Sequence, residues 1–193
     1  RRYADLEEEM NQILAQAAPN EKDQSQRLIT MRKPNPEDGS VVNNLVENCK
    51  PLDTNSMYCN NLQCSHFRDT AVLAEEQGET IGFISGYLLP EQPDTLFVWQ
   101  VAVSPKARGL GLASKMLLEL LSRHEGTVRH LHTSITPGNE ASWNLFRRLA
   151  RKLDAPLNER VMFDKEQHFA GQHETEMLVH IGPFGSADIS AAQ

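Results

Sequence analysis

The stretch VWQVAVSPKARGLGLASKMLLELL, residues 98–121, changes its hydrophobic period at its middle. Up to Val103 it reads as a strand, closed by Ser104 and Pro105. From Leu112 the apolar positions Leu112, Met116, Leu117, Leu120 and Leu121 recur at helical spacing. Between the two runs, Arg108 to Ala113 form a glycine-spaced turn. Gly109 and Gly111 let the backbone approach a ligand closely. The first N–H groups of the following helix have no partner within the helix and carry the positive end of its dipole, and Arg108 adds a formal charge, so a pyrophosphate would find several donors and a favourable field. The Walker spacing fails, because no Gly-Lys-Ser/Thr follows, and the dinucleotide fingerprint fails in both spacing and position. On glycine spacing alone, an anion site and a plain strand-to-helix connection both stay open.

Outward from this turn, strands and helices alternate. LITMRKP (28–34) reads as a strand, and the segment 35–50 as a helix with Val41, Val42, Leu45, Val46 and Cys49 on one face. NSMYCNNLQCSHF (55–67) reads as a second short helix, and 70–89 as a hairpin around Gly78. VRHLHTSIT (128–136) is a further strand. Pro137 and Gly138 introduce a helix with Trp143, Phe146 and Leu149, and ERVMFD and ETEMLVHIG supply two closing strands. The expected fold is α/β in the broad sense (α+β), a mixed central sheet with helices on both faces. Residues 1–27 are expected to be a partly helical or loose extension, 28–184 the single domain and 185–193 a disordered tail.

Composition removes several functions. With 19 basic against 26 acidic residues the net charge is −7, so no global positive field is available for nucleic acid or an anionic membrane. No segment approaches the ~18 apolar residues of a membrane span, and a cytoplasmic protein is expected. Cys49, Cys59 and Cys64 follow no zinc or redox spacing and are expected to be reduced packing residues.

The segment 101–121 resembles the R/Q-x-x-G-x-G/A motif of the GNAT superfamily of acetyl-CoA-dependent N-acetyltransferases, with Arg108, Gly111 and Ala113 in the motif positions. Four further blocks, 49–76, 90–103, 133–150 and 173–184, resemble the branch of that superfamily that acetylates L-2,4-diaminobutyrate in ectoine biosynthesis. The resemblance implies the GNAT fold, acetyl-CoA as cosubstrate laid with its pyrophosphate on the turn, a small diamino acid as acceptor, a homodimer and no metal. It implies cofactor binding by Arg108, Gly109, Gly111 and Ala113, and by the backbone of Val101 and Val103, whose N–H groups would hold the pantetheine arm and polarise the acetyl carbonyl.

The resemblance also implies acceptor contacts. Asp53 would pair with an ammonium, Tyr58 would hydrogen-bond, and Trp99 would wall the aliphatic chain. Asp53, Tyr58 and Glu91 are the candidate catalytic groups, with Glu91 an acid in a hairpin loop. Asn139 stands where the superfamily often has an asparagine touching pantetheine or substrate, and His173 matches a histidine near the acceptor pocket. All but Tyr58 have a plainer reading: a helix cap for Asp53 and Asn139, core packing for Trp99, a solvated charge for Glu91 and a structural role for His173. The tyrosine that many GNAT enzymes place seven residues after the asparagine is Phe146 here, so the usual acid for the leaving thiolate is missing. A thiolate of pKa near 8.5 can leave largely unprotonated. His130 and His132 share a strand face but lack a third metal ligand in sequence. Other small-amine or protein N-terminal acetyltransferases, and a non-catalytic acyl-CoA sensor, are the alternatives.

Overall fold

The computed structural model describes residues 27–193. Residues 1–26, where the N-terminal extension was expected, lie outside the described residues. Among the described residues seven strands form one sheet: β1 (Ile29–Arg32), β2 (Val72–Glu76), β3 (Glu79–Leu89), β4 (Gln92–Val103), β5 (His130–Ile135), β6 (Leu157–Phe163) and β7 (Glu176–Ile181). Their spatial order is β1-β2-β3-β4-β5-β7-β6, with β4 and β5 parallel and every other pair antiparallel. Helices α1 (Gly39–Glu47) and α2 (Met57–Cys64) follow β1, α3 (Leu112–Arg123) links β4 to β5, α4 (Glu140–Lys152) follows β5, and α5 (Ser186–Ala192) ends the chain.

Two apolar layers flank the sheet. On one face Leu112, Met116, Leu117, Leu120 and Leu121 of α3 and Trp143, Phe146 and Leu149 of α4 pack on Ile84, Leu96, Val98, Leu131 and Val179. On the other, α1 places Val42, Leu45 and Val46, and the residue just past its C-cap, Cys49, against Leu73, Phe83 and Ala102. Val41, expected on that buried face, is exposed. The stripe that packs runs 42, 45, 46, 49, and Val41 falls one step outside it.

The segment 185–193, expected to be a disordered tail, carries helix α5. Ile189 is buried among the α3 and α4 side chains, and the Asp188 carboxylate accepts from the Gly185 N–H at 2.8 Å. One well-placed isoleucine and an N-terminal cap hold a segment whose composition otherwise reads as polar.

The decisive irregularity lies in β4. Ser85 pairs with Gln100 and Gly86 with Val98, which leaves Trp99 as the extra residue of a bulge. The bulge resets the side-chain alternation. Before it, Leu96 and Val98 face the α3 layer; after it, Val101 and Val103 do. Phe97 and Trp99 both contact the Tyr87 ring on the opposite face, and Ala102 joins the α1 layer there. Gly86 permits this: a Cβ there would stand 2.6 Å from the Phe97 carbonyl oxygen. The pairing of β4 with β5 runs only from Thr95–His130 to Val98–Thr133, so β4 parts from β5 where the bulge begins.

Candidate active site

The glycine turn occupies the end of β4. Gly109 has φ +80° and Gly111 φ +69°, the left-handed region where a side chain is strained, and the space a Cβ would enter at either is open. Gly111 caps α3 with no side chain on the helix end, and the first turn carries no acidic residue. Arg108 is exposed beside it. The N–H groups at the start of α3 therefore face open space with a favourable dipole, a seat that fits a pyrophosphate.

The second half of the site forms on the α1/α2 side of the sheet, where the bulge turns Trp99 and Gln100. Asp53, in the loop between α1 and α2, lies with its Oδ2 3.7 Å from His173 Nε2, and the same nitrogen is 3.9 Å from Glu176 Oε1. His173 comes from the loop between β6 and β7 and stacks on Phe169 at 4.6 Å, while Glu176 opens β7. Two carboxylates and an imidazole thus converge from two loops and a strand. Burial pushes the Glu176 carboxyl above the usual carboxylate range; Ser134 and His173 pull it back, and Asp53 adds to the rise. The Asp53 side chain is 89% exposed, an open charge on the rim.

Other expected residues fall in different places. Trp99 is 43% exposed, its ring edge-on to Tyr87 at 6.1 Å, so it is a wall and not a filled core position. Asp53 is not a helix cap; Ser56 caps α2 by accepting from the Cys59 N–H. Tyr58 projects from the first turn of α2, 73% exposed. Asn139 caps α4, its side chain accepting from the Ser142 N–H at 3.2 Å. Glu91 stands apart: it forms the tight turn between β3 and β4, about 26 Å of strand from Trp99 at ~3.3 Å per residue. The structure does not bring it together with Asp53, His173 and Glu176. Phe146 is buried in the α4 core layer. His130 and His132 meet His180 of β7 on the open part of the sheet, and among the described residues no group of three or more side chains is arranged to hold a metal ion.

Three residues escaped the sequence reading. Glu176 sits three positions after His173, and Ser134 occupies a strand face alternating with Thr133. Gln100 is a lone polar residue in the apolar run FVWQVAV, the one local signal that the strand was doing something besides packing.

A glycine turn on a bare helix end, a parallel strand pair that parts at a bulge, and two carboxylates meeting an imidazole are set on a mixed sheet of the kind that carries acyl transfer. The chain belongs to the acetyltransferase (GNAT) family, whose model matches residues 40–150. It is 56% identical over 158 residues, 81% of this chain and 92% of the other, to L-2,4-diaminobutyric acid acetyltransferase of Methylotuvimicrobium alcaliphilum. To the protein of the same name from Halomonas elongata it is 50% identical over 163 residues, 83% of this chain and 84% of the other. A solved structure of diaminobutyrate acetyltransferase EctA from Paenibacillus lautus, in complex with its substrate L-2,4-diaminobutyric acid and coenzyme A, matches with a TM-score of 0.77 at 38% identity, covering 82% of this chain and 97% of that one. Ard1 of Thermoplasma volcanium, with a TM-score of 0.65 at 13% identity over 80% of this chain and 97% of that one, shares the fold.

Proposed function

We propose that this chain transfers the acetyl group of acetyl-CoA to the 4-amino group of L-2,4-diaminobutyrate, by direct attack in a complex that holds both, and so serves ectoine biosynthesis. The observation that carries the reading is the convergence of Asp53, His173 and Glu176, joined to β4, the strand that leads into the glycine turn, by the hydrogen bond from Gln100 to the Asp53 carbonyl. Likeness to relatives named for that reaction supports it.

Acetyl-CoA supplies the activated thioester. Arg108 and the first N–H groups of α3 hold its pyrophosphate, Gly109, Gly111 and Ala113 keep the approach clear, and the backbone of Val101 and Val103 on the unpaired edge of β4 lies where the pantetheine arm would run, with Asn139 at the start of α4. The acceptor carries one carboxylate and two ammonium groups. Asp53 and Glu176 supply opposite charge, Trp99 covers the methylene chain, Tyr58 offers a hydroxyl from α2, and His173 ties the two acids together. Asp53 grips the zwitterionic end while Glu176 faces the distal amine that reaches the thioester, so orientation selects the nucleophile. That amine has a pKa near 10 in solution and must lose a proton before attack; the acid–imidazole cluster stands where the proton can go.

The reading includes a homodimer in the cytoplasm. Edge strand β6 exposes Val161 and Phe163, and the three cysteines are free thiols suited to a reducing compartment. Light scattering on the purified chain tests the dimer. A thiol-release assay with acetyl-CoA and a panel of amines tests the activity, and NMR of the product tests the regiochemistry: acetylation at the 4-amino group shifts the γ-methylene protons, acetylation at the 2-amino group shifts the α-proton. Coenzyme A binding without turnover of any amine would overturn the enzymatic reading in favour of a sensor.

A further inference from the structure

A chain of side-chain amides runs from α2 through α1 to the loop that carries Asp53 and on to β4. On α2, Asn60 Nδ2 donates to Gln63 Oε1 at 2.9 Å; on α1, Asn43 Nδ2 donates to Asn60 Oδ1 at 2.9 Å and to the Asn55 carbonyl at 3.0 Å. Asn55 Nδ2 in turn donates to Gln100 Oε1 at 3.0 Å, and Gln100 Nε2 donates to the Asp53 carbonyl at 3.0 Å. Asn43, Asn60 and Gln63 are buried. The loop that carries Asp53 is therefore gripped twice, from α1 through the Asn55 carbonyl and from the bulged strand through Gln100. Such a chain is directional, and its buried members Asn43 and Asn60 are left desolvated and unpaired if they lose their partners, whereas Asn55 and Gln100 at its half-buried end carry the grip out to the loop. An apolar set of the same volume would hold the fold as well without fixing where the loop stands.

What the grip sets is a distance. Glu176 belongs to the sheet, whereas Asp53 belongs to a loop, and both lie within 4 Å of His173 Nε2. The separation of the two carboxylates is fixed only as firmly as the loop is tied to the sheet, and Gln100 is the tie. The bulge at Trp99 is what makes this possible, since it turns Trp99 and Gln100 to the same side of β4.

We propose that Gln100 is a positioning residue that, with Asn55, sets the span between the Asp53 and Glu176 carboxylates and thereby the length of the diamino acid the pocket accepts. The proposal rests on the diamino acid reading of the site. Its test is the ratio of kcat/KM for L-2,4-diaminobutyrate to that for L-ornithine, one methylene longer, measured with acetyl-CoA saturating. A methylene is worth about 10- to 200-fold in a fitted pocket. Gln100→Met keeps the volume and removes both hydrogen bonds. It is expected to raise the KM for diaminobutyrate about tenfold, to narrow the ratio by a similar factor and to leave the KM for acetyl-CoA within about twofold, since the glycine turn is untouched. Asn55→Ala, which leaves the bond from Gln100 to Asp53 in place, is expected to do the same in smaller measure and serves if Gln100→Met does not fold. Combined with Asp53→Asn, Gln100→Met should add little, because it acts through Asp53. An unchanged ratio in folded Gln100→Met, or in Asn55→Ala if Gln100→Met does not fold, overturns the proposal, as does full additivity with Asp53→Asn. A wild-type enzyme that acetylates other amines but not diaminobutyrate overturns the functional reading and this proposal with it, and is distinguished by the wild-type assay alone.

Discussion

Glu176 Oε1 lies 3.9 Å from His173 Nε2, and the same nitrogen reaches to 3.7 Å from Asp53 Oδ2, so one imidazole stands between an acid raised by burial and an acid on the open rim. The raised Glu176 carboxyl is protonated at a higher pH than an ordinary carboxylate, and its neutral form cannot hold an ammonium. Activity toward diaminobutyrate, as kcat/KM, is expected to fall as pH drops through that elevated value. Glu176→Gln should lower kcat/KM by about 10- to 100-fold and remove that acidic limb, because a charge-assisted contact is lost. A pH–rate profile of both proteins checks it; an unchanged limb in the variant would assign the titration to another group.

The donor seat is tested at the turn. Gly111→Asp puts a side chain and a negative charge into the open space before α3, at a left-handed position that aspartate tolerates better than most residues. Acetyl-CoA affinity should fall by about a hundredfold or more with the fold retained. Calorimetric titration and circular dichroism read the two parts, and undiminished affinity in a folded variant would reduce the turn to a connection.

On the proposed reading, Trp99→Ala should raise the KM for diaminobutyrate about tenfold while acetyl-CoA binding is retained, because the half-exposed ring packs edge-on to Tyr87 on the face of β4 opposite the α3 layer. Steady-state kinetics with each substrate varied separate the two. An equal loss for acetyl-CoA would move Trp99 to the donor side.

Phe146→Tyr restores the residue type that many relatives of the superfamily use as an acid, but the ring lies in the buried α4 layer. The hydroxyl is expected to cost about 1–3 kcal/mol of stability and to leave kcat unraised. Thermal unfolding and turnover together decide; a rise in kcat would show that the hydroxyl reaches the thiolate.

On the open part of the sheet His130 Nδ1 and His180 Nε2 are 2.9 Å apart, with His132 edge-on to His180 and Asp94 Oδ2 3.9 Å from His130 Nε2. Burial first, then the neighbouring histidines and Arg160, hold His132 and His180 below the usual histidine range. The folded chain thus binds fewer protons there than the unfolded chain. The stabilisation is complete above the ordinary histidine pKa near 6.5 and is lost as pH falls through the lower folded values. The Tm should decline as pH falls below about 6.5, and His180→Gln should flatten that decline. The raised Glu176 carboxyl acts in the opposite direction and is common to both proteins, so the difference between their curves isolates the cluster.

The order of strands and helices was legible because each run carries its own period: alternation ending at Val103, helical spacing from Leu112, and glycines where the chain turns. The glycine turn was legible for the same reason, since a left-handed backbone and a bare helix end are local properties. Glu176 and Gln100 were not, because their roles depend on what other elements bring to them. The bulge that turns Gln100 toward the Asp53 loop is a relation between two strands, and the meeting of Asp53 with His173 spans 120 positions of chain. The place of Glu91 was not legible for the converse reason: a short distance in sequence from Trp99 becomes most of the length of a strand in space. Helix α5 likewise exists because Ile189 finds the α3 and α4 layer, not because its own composition demands a helix. Local periodicity and turn chemistry are written in the residues themselves, whereas the separation of two charges is set by packing between elements and was decided only by the tertiary structure.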